Sequence, residues 1–369
     1  MRDAGWGKVL KPNPRVAAMA AYALPDISAA DGQVATVLAQ NEHAFAPSPR
    51  VQQAVAEAMA SGQLYPDDNW SALRAAIAEV HGLDAGRIGC GVGSMELMSS
   101  LMLAYLSPGT RLLMTQYGYL FMRTLCKLVG ATLDVADEVD YRVDIDRVLQ
   151  QLQPDTRLVF IVNPGNPSGT VIHNEEIRRL RAALPEDVML LVDEAYAEFV
   201  DPDFHPPLFD LVETGNTVIT RTFSKIYGLA GMRVGWGYFP AEVLEQVRKV
   251  QNPGSVSVVS QAAARAAMQD QASAAEARRY IAAQRNFLTG AIRALDLEVV
   301  PSQTSFILVD FVTPQRADSA FNYLRQHGLV VRPMGGYGLP ACLRITIGTE
   351  SQMRATALTL ATWRERSGD

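Results

Sequence analysis

One lysine, Lys225, lies among residues that could make its side-chain amine reactive. The hydroxyl residues Thr222 and Ser224 precede it, and Arg233 follows after a glycine-rich bend. An amine must lose its proton before it attacks an aldehyde, and neighbouring positive charge lowers the pKa of a lysine. An arginine at the end of a short polar segment can bind a phosphate ester through a fork of N–H donors. The stretch therefore indicates a pocket for pyridoxal 5'-phosphate (PLP), which carries both groups and is held as an imine.

The order of residues over 220–237 resembles a family signature. It reads T-R-T-F-S-K-I-Y-G-L-A-G-M-R-V-G-W-G and is similar to the S/T-x-S-K-x-x-G-L-A-G-x-R pattern of the class I and II PLP-dependent aminotransferases, most of all their histidinol-phosphate aminotransferase branch. The alternative for this motif by itself is a surface loop with an ordinary solvated lysine. The resemblance implies an internal aldimine between PLP and Lys225, with Thr222, Ser224 and Arg233 as further cofactor-binding residues.

A carboxylate, Asp193, follows directly after an apolar run at residues 188–192. Such a run is typical of a parallel strand that is buried on both faces. A carboxylate at its end can pair with a protonated pyridine nitrogen, so that electrons flow into the ring when the α-proton of a substrate leaves. We assign this role to Asp193 and expect Tyr196 to hydrogen-bond the ring hydroxyl. Glu194 is expected to be structural.

A rigid loop follows a second buried run, at residues 158–162. It reads N-P-G-N-P-S-G-T over residues 163–170 and lies at a strand end, where open α/β sheets bind ligands. The loop resembles the N-P-N-N-P-T-G motif of the same family, from which Gly165 and Ser168 depart. The resemblance implies that Asn166 donates a hydrogen bond to the phenolic oxygen of the cofactor.

Several glycines lie within residues 88–96, before an apolar run. Neither register supplies the third glycine of G-x-G-x-x-G, so we exclude a dinucleotide site. We predict a strand, a tight turn and a helix, with the free N–H groups of Gly93, Ser94 and Met95 facing a phosphate. A plain strand-to-helix connection is the alternative.

Tyr117 lies just beyond a predicted strand at residues 111–115. An aromatic ring in this position can lie flat on a pyridine ring, and stacked rings gain about 1 kcal/mol beyond the burial of their area. Tyr117 matches the stacking aromatic of the family, and Tyr119 is the less favoured candidate. As the alternative, either ring is half-buried core.

Arg344 lies in an alternating strand at residues 343–349, among apolar neighbours. A buried arginine needs a partner, because burying an unpaired charge is costly. A structural salt bridge is the general explanation. The resemblance implies instead that Arg344 binds the α-carboxylate of the substrate through two parallel bonds. Arg332 is a weaker candidate for a second anionic group on the substrate.

Residues 41–49 read N-E-H-A-F-A-P-S-P and resemble the N-E-N-P-x-G-P-S-P segment of the histidinol-phosphate branch. This makes Asn41 a candidate for substrate binding, while the departure at residues 43–45 leaves the identity of the substrate open. Tyr65, which Pro66 holds extended, matches a tyrosine that reaches the cofactor phosphate of the partner subunit. The resemblance therefore implies a homodimer with its site at the subunit interface.

An α/β fold must position these residues, and the resemblance implies fold type I of the PLP-dependent transferases. At 369 residues the chain is long enough for about two domains. We predict an N-terminal arm over residues 1–45, which packs with the small domain or the partner subunit. A large PLP-binding domain over 46–250 has a mostly parallel central sheet between helices, and a smaller α+β domain covers 251–369. Within the latter, residues 260–294 show long helical periodicity.

The composition excludes several classes of function. Apolar residues make up 48% and charged residues 20%, and the net charge of −6 gives no electrostatic footprint for nucleic acid. Apolar runs are too short to span a membrane. The 3 cysteines and 5 histidines are scattered, so no disulfide framework or metal site is expected. A cytoplasmic protein fits this pattern best.

The resemblance implies an enzyme of amino acid biosynthesis that moves an amino group. The donor is an amino acid or an amino alcohol phosphate, either histidinol-phosphate-like or aromatic, and the acceptor is a 2-oxo acid such as 2-oxoglutarate. A PLP-dependent decarboxylase or lyase would share every cofactor residue and is the alternative. A PLP-binding regulator would carry a basic DNA-binding module, which the sequence lacks.

Overall fold

Strands and helices alternate along the chain. The computed structural model describes residues 10–19, 35–201 and 206–367. The strands are β1 (Thr36–Val37), β2 (Ile88–Gly91), β3 (Arg111–Thr115), β4 (Thr132–Ala136), β5 (Thr156–Val162), β6 (Met189–Asp193), β7 (Thr217–Thr222), β8 (Gly235–Tyr238), β9 (Glu298–Val299), β10 (Phe306–Asp310), β11 (Leu329–Val330), β12 (Arg332–Met334) and β13 (Leu339–Thr346). The helices are α1 (Pro14–Ala17), α2 (Pro49–Met59), α3 (Ser71–His81), α4 (Ser94–Tyr105), α5 (Phe121–Val129), α6 (Ile145–Gln150), α7 (Asn174–Ala183), α8 (Asp210–Thr214), α9 (Ala241–Val250), α10 (Val258–Met268), α11 (Gln271–Arg293), α12 (Pro314–Gln326) and α13 (Glu350–Ser367).

A seven-stranded central sheet has the order β2-β8-β7-β6-β5-β3-β4. Strands β3 to β7 are parallel, and β8 is antiparallel to its neighbours β7 and β2. Successive residues of β5 point to opposite faces, so Val159 and Ile161 pack in one hydrophobic cluster and Leu158 and Phe160 in another. Both faces are therefore covered, which explains the continuous apolar runs. The predicted α/β fold with a mostly parallel sheet is confirmed.

The register of the central sheet brings the ends of β5, β6 and β7 level with one another. Val162 is opposite Asp193, and Asp193 is opposite Thr220. Because parallel strands end at the same edge of a sheet, the loop at residues 163–170 and the segment that carries Lys225 meet beside Asp193.

A four-stranded antiparallel sheet, called the small sheet below, has the order β12-β13-β10-β9. Helices α11 and α12 pack against it, and α13 packs against those two helices. Strand β1 pairs in parallel with β11, so residues 36–37 join this C-terminal part of the chain. The rest of the predicted arm includes residues 1–9 and 20–34, which lie outside the described residues. The domain limits at residues 45 and 250 stay predictions.

Two predicted elements end differently from the sequence pattern. The helical periodicity over residues 260–294 belongs to two helices, α10 and α11, because Asp270 caps the second by accepting a hydrogen bond from Ser273 N at 3.3 Å. Strand β13 ends at Thr346, short of the predicted residue 349. Thr349 and Gln352 exchange backbone-to-side-chain hydrogen bonds there, a capping box that begins α13.

Three further properties concern the whole described chain. Residues 10–19, 35–201 and 206–367 contain no helix with the length and apolar character that a membrane span requires. Within the same ranges no three His, Cys, Asp or Glu side chains cluster in a way that could hold a metal ion. Cys90, Cys126 and Cys342 are buried free thiols.

Candidate active site

The amino end of α4 and Arg233 form one corner of the site. Gly93 precedes the helix with φ at 74°, and Arg233 Nη1 donates to Ser224 Oγ at 3.4 Å. A Cβ built on Gly93 would lie 2.8 Å from Arg233 Nη2, so only glycine lets the guanidinium approach the helix terminus this closely. The free N–H groups of a first helical turn and a guanidinium are the donors that bind a phosphate. Ser94 and Ser224, both predicted to bind the cofactor, lie at this corner.

The backbone around Arg233 has an uncommon conformation. Its φ is 50°, in the left-handed region that side chains other than glycine rarely adopt. Gly235 on β8 approaches α4 so closely that a Cβ would lie 2.3 Å from Ser94 N. Thr222 at the end of β7 accepts a hydrogen bond from Ser224 N at 3.1 Å. Such backbone persists at functional sites where the surrounding structure holds it, and here it directs Arg233 to the helix terminus.

Lys225 lies beside carbonyl groups from the N-terminal segment. Its Nζ donates to Gln40 O at 3.3 Å and to Asn41 O at 3.2 Å, and it lies 5.7 Å from the centroid of the Tyr196 ring. Burial lowers the pKa of Lys225 from 10.5 to about 8, and the charge of Arg344 adds to this. Removal from water contributes more than the positive charge that the sequence suggested. A far larger fraction of this amine is therefore unprotonated near neutral pH than of an ordinary lysine, and the unprotonated form is the nucleophile.

Asp193 is a buried carboxylate, 5% exposed, at the end of β6. Thr220 Oγ1 on β7 donates to Asp193 Oδ1 at 3.0 Å. Burial raises the pKa of Asp193 to about 7, against the opposing effect of Thr220. A protonated ring nitrogen next to this carboxylate would supply the positive charge that favours its ionised form.

Tyr196 and Asn41 are paired behind Lys225. Asn41 Nδ2 donates to Tyr196 Oη at 2.8 Å, and Asn41 N donates to Thr346 Oγ1 at 3.0 Å. Burial raises the pKa of Tyr196 to about 12, so the phenol keeps its proton. Asn41 itself is 2% exposed, with φ at 56°, and this backbone turns its carbonyl toward Lys225. The structure thus places Asn41 next to two predicted catalytic residues, and its contact with a substrate stays a prediction.

Arg344 on β13 is 2% exposed and joins the two sheets. Its Nη1 donates to Asn166 Oδ1 at 2.6 Å, and its Nη2 donates to Ala39 O at 2.9 Å. Arg332 on β12 lies directly opposite Arg344 in the antiparallel register. Side chains that are directly opposite in such a pair lie on the same face, so both arginines belong to one face of the small sheet.

Tyr117 and Asn166 line one small cavity at the edge of the central sheet. Tyr117 N donates to Glu138 Oε1 at 3.0 Å, which fixes the backbone just beyond β3. Tyr119 Oη donates instead to Met95 Sδ at 3.1 Å, in the first turn of α4. Tyr117 is therefore the ring that shares a cavity with Asn166, and Tyr119 is tied to the helix terminus.

Tyr65 lies away from this group, and its side chain is 99% exposed. Within one chain it does not join the other predicted residues. Its contact with the cofactor of a partner subunit stays a prediction.

Sequence reasoning missed the groups that hold the predicted residues in place. They are the carbonyls of Ala39 and Gln40, the hydroxyls of Thr220 and Thr346, and the carboxylate of Glu138. Thr220 could have been found, because it lies on the strand next to Asp193 and its side chain can donate to a carboxylate. Backbone carbonyls carry no sequence signal.

The residues brought together fit the groups of PLP. Arg233, Ser224 and the amino end of α4 are phosphate donors, Lys225 is an amine of lowered pKa, and Asp193 is a buried carboxylate without an ion pair among the described residues. An aldehyde, a phosphate and a basic ring nitrogen are the three groups that such a set would bind.

Comparisons with known proteins cover nearly the whole chain. The family model for aminotransferase class I and II matches residues 34–359. Histidinol-phosphate aminotransferase of Granulibacter bethesdensis is 40% identical over 343 residues, which are 93% of each chain. The enzyme of that name from Roseobacter denitrificans is 44% identical over 320 residues, 86% of this chain and 89% of that one. The crystal structure of histidinol-phosphate aminotransferase from Sinorhizobium meliloti in complex with pyridoxal-5'-phosphate has a TM-score of 0.89 at 27% identity, covering 98% of this chain and 99% of that one.

Proposed function

The chain belongs to the class I and II aminotransferase family, and from this premise we propose that it transfers the amino group of histidinol phosphate to 2-oxoglutarate. It is a PLP-dependent aminotransferase. One observation carries the choice of donor: histidinol-phosphate aminotransferases match it at 40% identity over 93% of both chains. A decarboxylase or lyase of the same fold is not favoured.

The chain offers a holder for each end of the cofactor. Arg233, Ser224 and the N–H groups at residues 93–95 would hold the phosphate, and Asp193 would pair with the ring nitrogen. When bound, PLP supplies a cationic ring that accepts the electron pair left when the α-proton of the substrate departs. Lys225 Nζ is the amine that would hold the cofactor in the resting enzyme.

Lys225 also moves the proton. With its Nζ free, Lys225 would accept the proton from the substrate Cα, and general base work of this kind contributes ~10²–10⁴-fold to the rate. The carbonyls of Gln40 and Asn41, 3.3 and 3.2 Å from Nζ, stabilise the ammonium that results. The lowered pKa would let Lys225 give this proton up again within the same half-reaction, to the cofactor carbon to which its Nζ had been joined.

Tyr196 and Asn166 orient the cofactor ring. Tyr196 keeps its proton because burial raises its pKa to about 12, so its Oη donates to the ring hydroxyl oxygen. Asn41 donates to the same Tyr196 Oη and fixes its direction. Asn166 would donate from its amide N–H to the same oxygen, because its Oδ1 already accepts a hydrogen bond from Arg344 Nη1.

Arg344 and Arg332 are proposed as two anion sites. Arg344 binds the α-carboxylate of 2-oxoglutarate through two parallel bonds. Arg332 lies opposite it on the same face, half-exposed, and binds the second anionic group, a phosphate or the distal carboxylate. Arg332→Ala should therefore raise the KM for histidinol phosphate and the KM for glutamate about tenfold, and should raise the KM for phenylalanine much less. An equal loss for all three would remove this role for Arg332.

The test of the donor is a panel of amino compounds offered to the holoenzyme with 2-oxoglutarate. Histidinol phosphate should give the highest kcat/KM, followed by aromatic amino acids, and the spectrum of the bound cofactor should change with each donor that reacts. Preference for an aromatic amino acid would overturn the proposed substrate. Release of carbon dioxide without a keto acid or aldehyde product would favour the decarboxylase instead.

We further propose a cytoplasmic homodimer with Tyr65 of each subunit at the cofactor phosphate of the other. The 99% exposure of Tyr65 in a single chain supports this, since a free tyrosine ring on the surface is available for a partner. Mixed dimers of Lys225→Ala and Tyr65→Ala chains should contain one intact site and recover activity that neither variant has. Failure to recover would count against a shared site.

A further inference from the structure

A two-residue turn at Asp140 and Tyr141 lies beside the active site. Val139 and Arg142 exchange backbone hydrogen bonds of 2.9 and 2.8 Å around it. Its φ angles are 49° at Asp140 and 61° at Tyr141, both in the left-handed region. Two successive residues other than glycine in this region are uncommon, and they persist where surrounding contacts hold them. The side chain of Tyr141 is therefore presented in a fixed direction.

The phenol of Tyr141 reaches across to the small sheet. Its Oη donates to Asp310 Oδ2 at 2.6 Å and lies 3.7 Å from Cys342 Sγ. Asp310 and Cys342 are directly opposite each other on β10 and β13. Residues two apart on a strand lie on the same face, so Tyr141 contacts the face that also carries Arg344.

The other contacts of the turn lead to the cofactor residues of the central sheet. The Tyr141 ring lies 6.3 Å from the ring of Tyr117 at an interplanar angle of 34°. Glu138, at the start of the turn, accepts the hydrogen bond from Tyr117 N. Thr170 Oγ1 donates to Tyr141 O at 3.0 Å, which ties the turn to the loop that carries Asn166.

We propose that Tyr141 is a positioning residue for the substrate carboxylate: its bond to Asp310 sets the distance between the face that carries Arg344 and the cofactor residues Tyr117 and Asn166. The inference rests on the proposed role of Arg344 in carboxylate binding. Without this bond, two hydrogen bonds still join the C-terminal part of the chain to the loop at residues 163–170: Arg344 Nη1 donates to Asn166 Oδ1, and Gln303 N donates to Gly169 O at 2.9 Å. A substrate carboxylate at Arg344 must share or replace the first of them.

The phenol is suited to a fixed bond. Burial raises the pKa of Tyr141, and the neighbouring Asp310 adds to this, so the hydroxyl stays protonated and donates. The ring is half-buried among Val300, Leu308 and other apolar side chains of the small sheet, which Tyr141→Phe would leave in contact.

The test compares Tyr141→Phe with the wild-type holoenzyme. The KM for 2-oxoglutarate and the dissociation constant of succinate, a dicarboxylate that cannot react, should each rise about tenfold, because one hydrogen bond to a charged group is lost. The kcat, the affinity for PLP and the cofactor spectrum should change less than about twofold. Asp310→Ala should give the same pattern, and the double variant should be no worse than either one.

Tyr238→Phe is the matched control. It removes a tyrosine-to-carboxylate bond of 2.9 Å, to Glu213, on a buried strand residue away from the site. Equal succinate binding in Tyr141→Phe and Tyr238→Phe would overturn the inference, as would losses of PLP affinity and kcat that match the loss of succinate binding.

Arg344→Lys distinguishes failure of the proposed role of Arg344 from failure of the proposed role of Tyr141. If Arg344→Lys weakens the binding of succinate and Tyr141→Phe does not, only the role of Tyr141 is wrong. If Arg344→Lys leaves the binding of succinate unchanged, the role of Arg344 is wrong, and the role of Tyr141 that rests on it is wrong as well.

Discussion

At the ends of β6 and β7, the two faces of the central sheet differ in how their buried charged side chains are paired. On one face, Asp193 accepts a hydrogen bond from Thr220 and forms no ion pair with the described residues. On the other face, Arg221 donates from Nε and Nη2 to Glu194 Oε2 at 2.9 and 2.6 Å, and Glu198 lies 3.7 Å away. The contrast arises between adjacent residues of the same strands, because successive side chains point to opposite faces.

The two faces differ in where the balancing charge comes from. The cluster of Arg221, Glu194 and Glu198 contains both signs and is closed by the rings of Phe209 and Trp236, 4.8 and 5.8 Å from the guanidinium. Asp193 has no cation bonded to it among the residues that the structure describes, and burial raises its pKa to about 7. Buried charge that is internally paired is architectural, whereas buried charge left without a partner marks a place for a ligand.

On the face of the central sheet that carries Asp193, Lys225→Ala should have the largest effect on activity. It removes both proposed roles of Lys225, covalent attachment of the cofactor and general base, so we expect turnover to fall by about 10⁴-fold, the upper end for a general base, and the visible band of the bound cofactor to disappear. Lys249→Ala is the control, since that lysine is exposed and paired with Glu245 on α9. Persistence of both the band and turnover in Lys225→Ala would refute the assignment.

On the other face, Glu194→Ala removes the ion pair with Arg221. It leaves the buried guanidinium of Arg221 without its main partner, which should cost about 3–5 kcal/mol in the free energy of unfolding. Glu350→Ala removes an exposed ion pair with Arg354 and should cost less than about 1 kcal/mol. Urea unfolding of the apoproteins measures both. Similar losses of unfolding free energy for the two variants would show that the cluster of Arg221, Glu194 and Glu198 does not stabilise the fold more than an exposed ion pair does.

Asp193→Asn should have the opposite sign on the stability of the apoprotein. Burial raises the pKa of Asp193 from 3.8 to about 7, so the folded state holds a proton that the unfolded state has lost, and stability falls as pH rises between these values. Asn cannot ionise, so the stability of the variant relative to the wild type should be greater at pH 8 than at pH 5 by about 2–3 kcal/mol. Urea unfolding without PLP at both pH values measures this, and a difference independent of pH would contradict it.

The predictable part of the site is the part built from strand ends. Asp193 and the loop at residues 163–170 follow buried apolar runs, and parallel strands bring such ends together. The motif around Lys225 resembles a family pattern that fixes both its amine and Arg233. These positions follow from local sequence and from one topological rule.

The remainder depends on contacts between distant segments. The carbonyls beside Lys225 come from residues 40 and 41, and Tyr141 meets Asp310 across 169 positions of the chain. The periodicity of apolar residues does not predict such contacts, because they form only when the two sheets pack together. The break before α11 was missed for a different reason, since the cap at Asp270 interrupts a helical pattern without changing its apolar period.

Chemical trapping of the cofactor tests the central claim most directly. Reduction of the holoenzyme with borohydride fixes PLP to the amine that holds it, and mass spectrometry of the digested protein identifies that residue. We predict a single pyridoxyl label, on Lys225. A label on another lysine such as Lys249, or bound cofactor that yields no label, would contradict the account.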